Sequence, residues 1–163
     1  MQKENAPERL TWTSPRLRLK VLFLAFLFAF VCYGFFNWVL WPVKVSGTSM
    51  LPNYEDGSRH FINKIAYWSA QPQRGDVVGV QAPNGDTYIK RIIGLPGEHL
   101  TFTNGVVTIN GVLLREPYIE TKVPWEVKPA NLGPTDYYVM GDNRAVSVYG
   151  AVSFERIIGK VVF

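Results

Sequence analysis

The chain has 163 residues, 47% hydrophobic and 18% charged, with 17 Lys and Arg against 13 Asp and Glu for a net charge of +4. That length suits one membrane segment and one compact domain rather than two full soluble domains, and the positive residues form no basic stripe or finger spacing that would bind nucleic acid. A single cysteine, Cys32, and two well-separated histidines, His60 and His99, offer neither a disulfide framework nor a metal-ligand set, so no metal or cofactor is expected.

Residues 1–20 read as a basic segment, with Lys3, Arg9, Arg16, Arg18 and Lys20 against Glu4 and Glu8. Residues 21–43 carry no charge, and at about 1.5 Å per residue a helix of that length reaches roughly 35 Å, enough to cross a hydrocarbon core. The preceding positive charges predict a single-pass anchor with a cytoplasmic N-terminus and the remainder outside. Tyr33, Trp38 and Trp41 crowd the far end, where amphipathic rings favour the headgroup zone. The run outlasts a signal-peptide apolar core, and Asn37 to Val45 shows no small-x-small cleavage site. Its apolar residues go all the way round instead of forming one stripe, unlike a helix buried in a soluble core.

From Lys44 onward, short runs of Val, Ile, Tyr and Thr broken by Gly, Pro and Asn predict a mainly β, antiparallel domain over residues 44–163. The expected strands are His60–Lys64, Asp76–Gln81, Thr87–Ile93, Leu100–Thr103, Val106–Ile109, Val112–Leu114, Tyr137–Met140 and Ile157–Val162. Asn84-Gly85, Asn104-Gly105 and Asn110-Gly111 sit where tight hairpin turns need positive φ. Tyr118 to Pro134, with Pro124, Pro129 and Pro134, holds no sustained period and is expected to be a long loop.

Three segments carry candidate chemistry. The first is Ser46-Gly47-Thr48-Ser49-Met50-Leu51-Pro52, just beyond the apolar run; alone, a serine among small residues is more often a turn former than a nucleophile. The second runs from Thr87 to Gly97, where strand alternation puts Tyr88, Lys90 and Ile92 on one face. A lysine held among apolar side chains has a lowered pKa, and only its neutral amine can take a proton from a serine hydroxyl. A lone strand lysine would instead snorkel to water. The third is Tyr138-Val139-Met140-Gly141-Asp142-Asn143-Arg144 followed by Ser147, which by itself reads as a polar β-turn.

Gly47-Thr48-Ser49-Met50-Leu51-Pro52, Tyr88-Ile89-Lys90-Arg91 through Gly94-Leu95-Pro96-Gly97, and Gly141-Asp142-Asn143-Arg144 resemble, in this order, the boxes of bacterial type I signal peptidases. Three ordered boxes behind an anchor are a far stronger signal than any one of them. The resemblance implies a membrane-anchored serine endopeptidase with Ser49 as nucleophile, Lys90 as general base and the Ser49 N–H in the oxyanion hole. It implies a large antiparallel β catalytic lobe and a small β lobe at about 99–136. Its partners would be signal-peptide-bearing precursors and membrane lipid, at the bacterial cytoplasmic membrane with the catalytic domain on the extracytoplasmic side.

Two departures stand out. Some family members carry a serine two residues before the nucleophile as an oxyanion donor; here Gly47 stands there, leaving Ser46 and Thr48 as candidates. Where the family continues with Ser-x-Asp-Ser-Arg, this chain has Ala145-Val146-Ser147-Val148-Tyr149-Gly150. Counted from Gly141, Ser147 matches the family serine that contacts the lysine; counted back from Gly159, it drifts toward the later serine. Arg91 thereby loses its expected carboxylate, with Asp142 or Asp136 as the replacement. Rival readings are a pilin-maturation protease of conjugative transfer, a non-catalytic tethered paralogue, and a self-cleaving repressor, which would need a DNA-binding helix pair.

Overall fold

The computed structural model describes residues 15–119 and 127–162. Lys3, Glu4, Glu8 and Arg9 of the basic segment, with Pro124 and Trp125 of the predicted loop, lie outside the described residues. The chain divides into one unit ending at Trp38 and another beginning at Val39.

The first unit contains helix α1, Pro15–Val39, of 25 residues. Pro15 opens it without loss, because first-turn N–H groups have no intrahelical partner. Phe23, Phe30 and Phe36 are 65%, 65% and 61% exposed, so no single apolar stripe faces protein. With a mean hydropathy of 2.3, α1 is long and apolar enough to cross a membrane. The apolar run was expected to stay helical to Val43, yet the helix stops at Val39 and the chain becomes a strand. Pro42 accounts for this: it has no N–H to donate, and it pushes Trp41 toward extended geometry.

The second unit holds the strands β1 (Leu40–Lys44), β2 (Arg59–Asn63), β3 (Val77–Gln81), β4 (Thr87–Gly94), β5 (His99–Thr103), β6 (Val106–Ile109), β7 (Val112–Leu113), β8 (Val127–Asn131), β9 (Asp136–Met140), β10 (Gly150–Ser153) and β11 (Ile157–Val162). A seven-stranded sheet runs β1-β2-β11-β3-β4-β9-β10, and a four-stranded sheet runs β7-β6-β5-β8. Neighbours pair antiparallel throughout. This is the mainly β, antiparallel class expected from the sequence, and each expected strand is present to within one residue at either end.

Strands β1, β8 and β10 were not anticipated. β8 corrects the long-loop expectation, since it lies inside Tyr118–Pro134 with Pro129 in its interior. Pro129 is tolerated because β8 is an edge strand and its pairing with β5 shifts register between Leu100 and Phe102. Of the three Asn-Gly pairs, Asn104-Gly105 and Asn110-Gly111 have both residues at positive φ, as two-residue hairpins require. The β3–β4 connection is longer: there only Gly85 has positive φ, and its N–H donates to the Ala82 carbonyl.

Three buried clusters position the site. Val45, Met50, Ile62, Val77, Ile89 and Val161 fill one, Ile92 with Val78 and Val139 belong to a second, and Ile93 with Leu100 and Phe102 to a third. Consecutive residues Ile92 and Ile93 thus enter different clusters, so β4 is covered on both faces and held by ~1.5–3 kcal/mol per buried side chain. The third cluster also joins the two sheets, drawing β5 and β6 against β4 and β9.

Candidate active site

Ser49 and Lys90, 41 residues apart in sequence, meet with Lys90 Nζ 2.7 Å from Ser49 Oγ. Lys90 lies mid-β4, between the buried β3 and β9, and is 7% exposed. Burial pushes its amine below the ordinary lysine range, and the Asp142 charge opposes that shift without cancelling it. Burial shifts the balance toward the uncharged amine, which sits in reach of a hydroxyl proton.

The loop bearing Ser49 is gripped on several sides. Met50, 1% exposed, plugs the cluster around Ile62 and Ile89. Asn143 donates its backbone N–H to the Ser49 carbonyl at 3.0 Å and its Nδ2 to the Thr48 carbonyl at 3.1 Å. Gly47 takes φ of +90° and gives its N–H to Asp56 Oδ1 at 2.8 Å. A cleft of about 330 Å³ opens beside the pair, lined on one wall by Lys44, Val45, Ser46 and Met50 and on the other by Asp86 through Lys90. The two walls leave an open groove rather than a closed cavity, which suits an extended chain.

Behind Lys90, Arg91 projects from the opposite face of β4. It donates Nε and Nη2 to Asp142 at 2.8 and 2.6 Å and Nη1 to the Gly75 carbonyl at 2.8 Å. Burial works against the guanidinium charge, but these bonds and the Asp142 charge hold its pKa above the usual value. Asp142 is therefore the carboxylate opposite Arg91. Asp136, the other candidate, accepts from the Gly133 N–H at the start of β9. Asn53 completes the set, giving Nδ2 to Asp142 Oδ2 at 2.9 Å.

The lower-ranked sequence candidates land differently. Ser46 lines the cleft, whereas Thr48, directly before Ser49, is exposed. Ser147 accepts from the Gly141 N–H at 2.6 Å and donates to the Val148 carbonyl at 3.0 Å, so the hydrogen bonds the structure gives its hydroxyl are to backbone and not to Lys90. His60 bonds Ser58 and His99 bonds Asn131. Sequence reasoning missed Asn53, Glu116 and Tyr118; the only signal for Asn53 was its place directly after the first box.

The family model described as signal peptidase, peptidase S26, matches residues 17–163. The chain is 35% identical over 141 residues to signal peptidase I of Bacillus amyloliquefaciens, covering 75% of this chain and 72% of that protein. It is 32% identical over 162 residues to signal peptidase IB of Staphylococcus aureus strain Mu50, covering 86% of this chain and 83% of that protein. The crystal structure of a signal peptidase I from Enterococcus faecalis V583 aligns with a TM-score of 0.48 at 27% identity, over 56% of this chain and 97% of that one. The chain belongs to the peptidase S26 signal peptidase family and is a serine endopeptidase, anchored to a membrane by its apolar helix.

Proposed function

We propose that this protein removes signal peptides from exported precursors, with Ser49 as nucleophile and Lys90 as general base. The observation that carries this reading is the 2.7 Å approach of Lys90 Nζ to Ser49 Oγ at a site where burial favours the neutral amine. Lys90 takes the hydroxyl proton as Ser49 Oγ attacks the scissile carbonyl; the proton passes to the leaving amine as the acyl-enzyme forms. Lys90 then deprotonates the water that releases the new carboxylate. The Ser49 N–H is one oxyanion donor, and Ser46 on the cleft wall is the better-placed second candidate; a single donor contributes about 3 kcal/mol.

The larger sheet serves as the catalytic lobe and the sheet spanning His99 to Asn131 as the small lobe. Arg16, Arg18 and Lys20 support a cytoplasmic N-terminus by the positive-inside bias, leaving the peptidase domain on the outer side of the bacterial cytoplasmic membrane. Trp68, 69% exposed, is suited to lipid contact there. The test is cleavage of an exported precursor by the full-length protein in detergent, beside folded Ser49→Ala and Lys90→Ala variants. Cutting by the wild type after a small residue, with both variants silent, is the expected result; cleavage persisting in either variant removes that residue from the mechanism.

A further inference from the structure

Outside the pair itself, a second set of buried polar groups converges on the segment that holds Ser49. The connector that leaves β7 carries Glu116 and Tyr118. Glu116 grips Arg144 through both carboxylate oxygens, with side chains 7% and 1% exposed. Arg144 donates Nε to the Gly141 carbonyl at 3.1 Å, closing the turn from Gly141 to Arg144. That turn presents the Asn143 groups that hold the Ser49 and Thr48 carbonyls. Tyr118 ties the same connector down: its hydroxyl donates to Glu116 at 2.9 Å, its carbonyl accepts from Asn53 at 2.8 Å, and its ring lies 4.3 Å from the Arg91 guanidinium carbon.

We infer that Glu116 is a positioning residue: through Arg144 and the Gly141–Arg144 turn it sets where Ser49 stands relative to Lys90. A buried ion pair adds little net stability over apolar packing, yet its directional bonds specify one arrangement. Among the described residues, no strand pairing joins the two segments that the Glu116–Arg144 pair spans. Small displacements at a nucleophile are expensive, since a shift of about 1 Å can cost 10²-fold in rate. The inference rests on Ser49 being the nucleophile, which the Ser49→Ala control decides separately.

The experiment compares full-length wild type, Glu116→Gln and the double variant Glu116→Leu with Arg144→Met, using a precursor substrate in detergent. The double variant replaces the ion pair with apolar side chains, a change that commonly preserves or raises stability. The expected result is a fall in kcat of at least about tenfold in both, with KM within about twofold. The double variant should melt at or above the wild-type temperature, and the acid limb of the kcat/KM profile should stay in place because Lys90 keeps its own surroundings. Recovery of wild-type kcat in the stable double variant would make the pair purely structural and overturn the inference. So would loss in Glu116→Gln that vanishes once the assay is run well below its melting temperature. Should the double variant fail to fold, Glu116→Gln assayed below its melting temperature decides the matter alone.

Discussion

The α-carbon of Gly141 packs so close to the backbone of Ser49 that a β-carbon there would lie 2.2 Å from the Ser49 carbonyl oxygen and 2.4 Å from Ser147 Oγ. The first of these neighbours is backbone and cannot swing aside. Gly141→Ala is therefore expected to displace the Ser49 loop and, with Ser49 as the proposed nucleophile, lower kcat by about 10²-fold. A melting temperature that falls only a few degrees alongside that loss, read by circular dichroism, would place the effect in the site rather than in the fold.

Lys90 couples activity and stability to pH in opposite ways. Its folded pKa is depressed from the ordinary value of 10.5, chiefly by burial. As the proposed base it works only when neutral, so kcat/KM should rise with pH through that depressed value. In the folding equilibrium the unfolded chain binds the extra proton between the two values, so this group destabilises the native state fully below the folded pKa and ceases to do so above about 10.5. Lys90→Met should thus be inactive yet more heat-stable at neutral pH, with the gain shrinking as pH approaches 10.5.

Asp142→Asn separates the support of Arg91 from the titration of Lys90. Removing the carboxylate leaves the Arg91 guanidinium, 12% exposed in its side chain, without its charge partner, a loss of about 3–5 kcal/mol for a buried pair. The Asp142 charge also raises the Lys90 pKa. Its removal should therefore move the acid limb of the pH–rate profile to lower pH. A limb that moved to higher pH would contradict the arrangement described.

Leu100, fully buried where the two sheets meet, tests the scaffold. Leu100→Ala is expected to cost about 2–5 kcal/mol, measured by denaturant unfolding of the detergent-solubilised protein. Its kcat should stay near wild type at temperatures well below the transition, because Leu100 belongs to the cluster between the sheets and not to the one in which Met50 anchors the Ser49 loop.

Much of this was written locally. Short runs of Val, Ile, Tyr and Thr broken by Gly, Pro and Asn marked the inner strands, because β-branched and aromatic side chains suit a packed pleat. The Asn-Gly pairs marked the turns, because few other residues accept positive φ twice in succession. Three edge strands escaped notice: β1 lay at the end of the apolar run, β8 contains Pro129, and β10 is the short run Gly150 to Ser153, so none shows the pattern of an inner strand.

The sequence by itself determined the long apolar helix and the β class, which rest on composition and on short β-rich runs, and its three ordered motifs singled out Ser49 and Lys90 as the pair proposed for the chemistry. Only the tertiary structure decided which carboxylate serves Arg91, where the Ser147 hydroxyl points, and that Glu116 reaches the Ser49 loop through Arg144. Those outcomes depend on strand order and register. Pairing β4 with β9 sets Arg91 opposite Met140, and the chain then turns Asp142 back onto the guanidinium. Distances between groups far apart in sequence follow from how sheets assemble, and no local propensity records them.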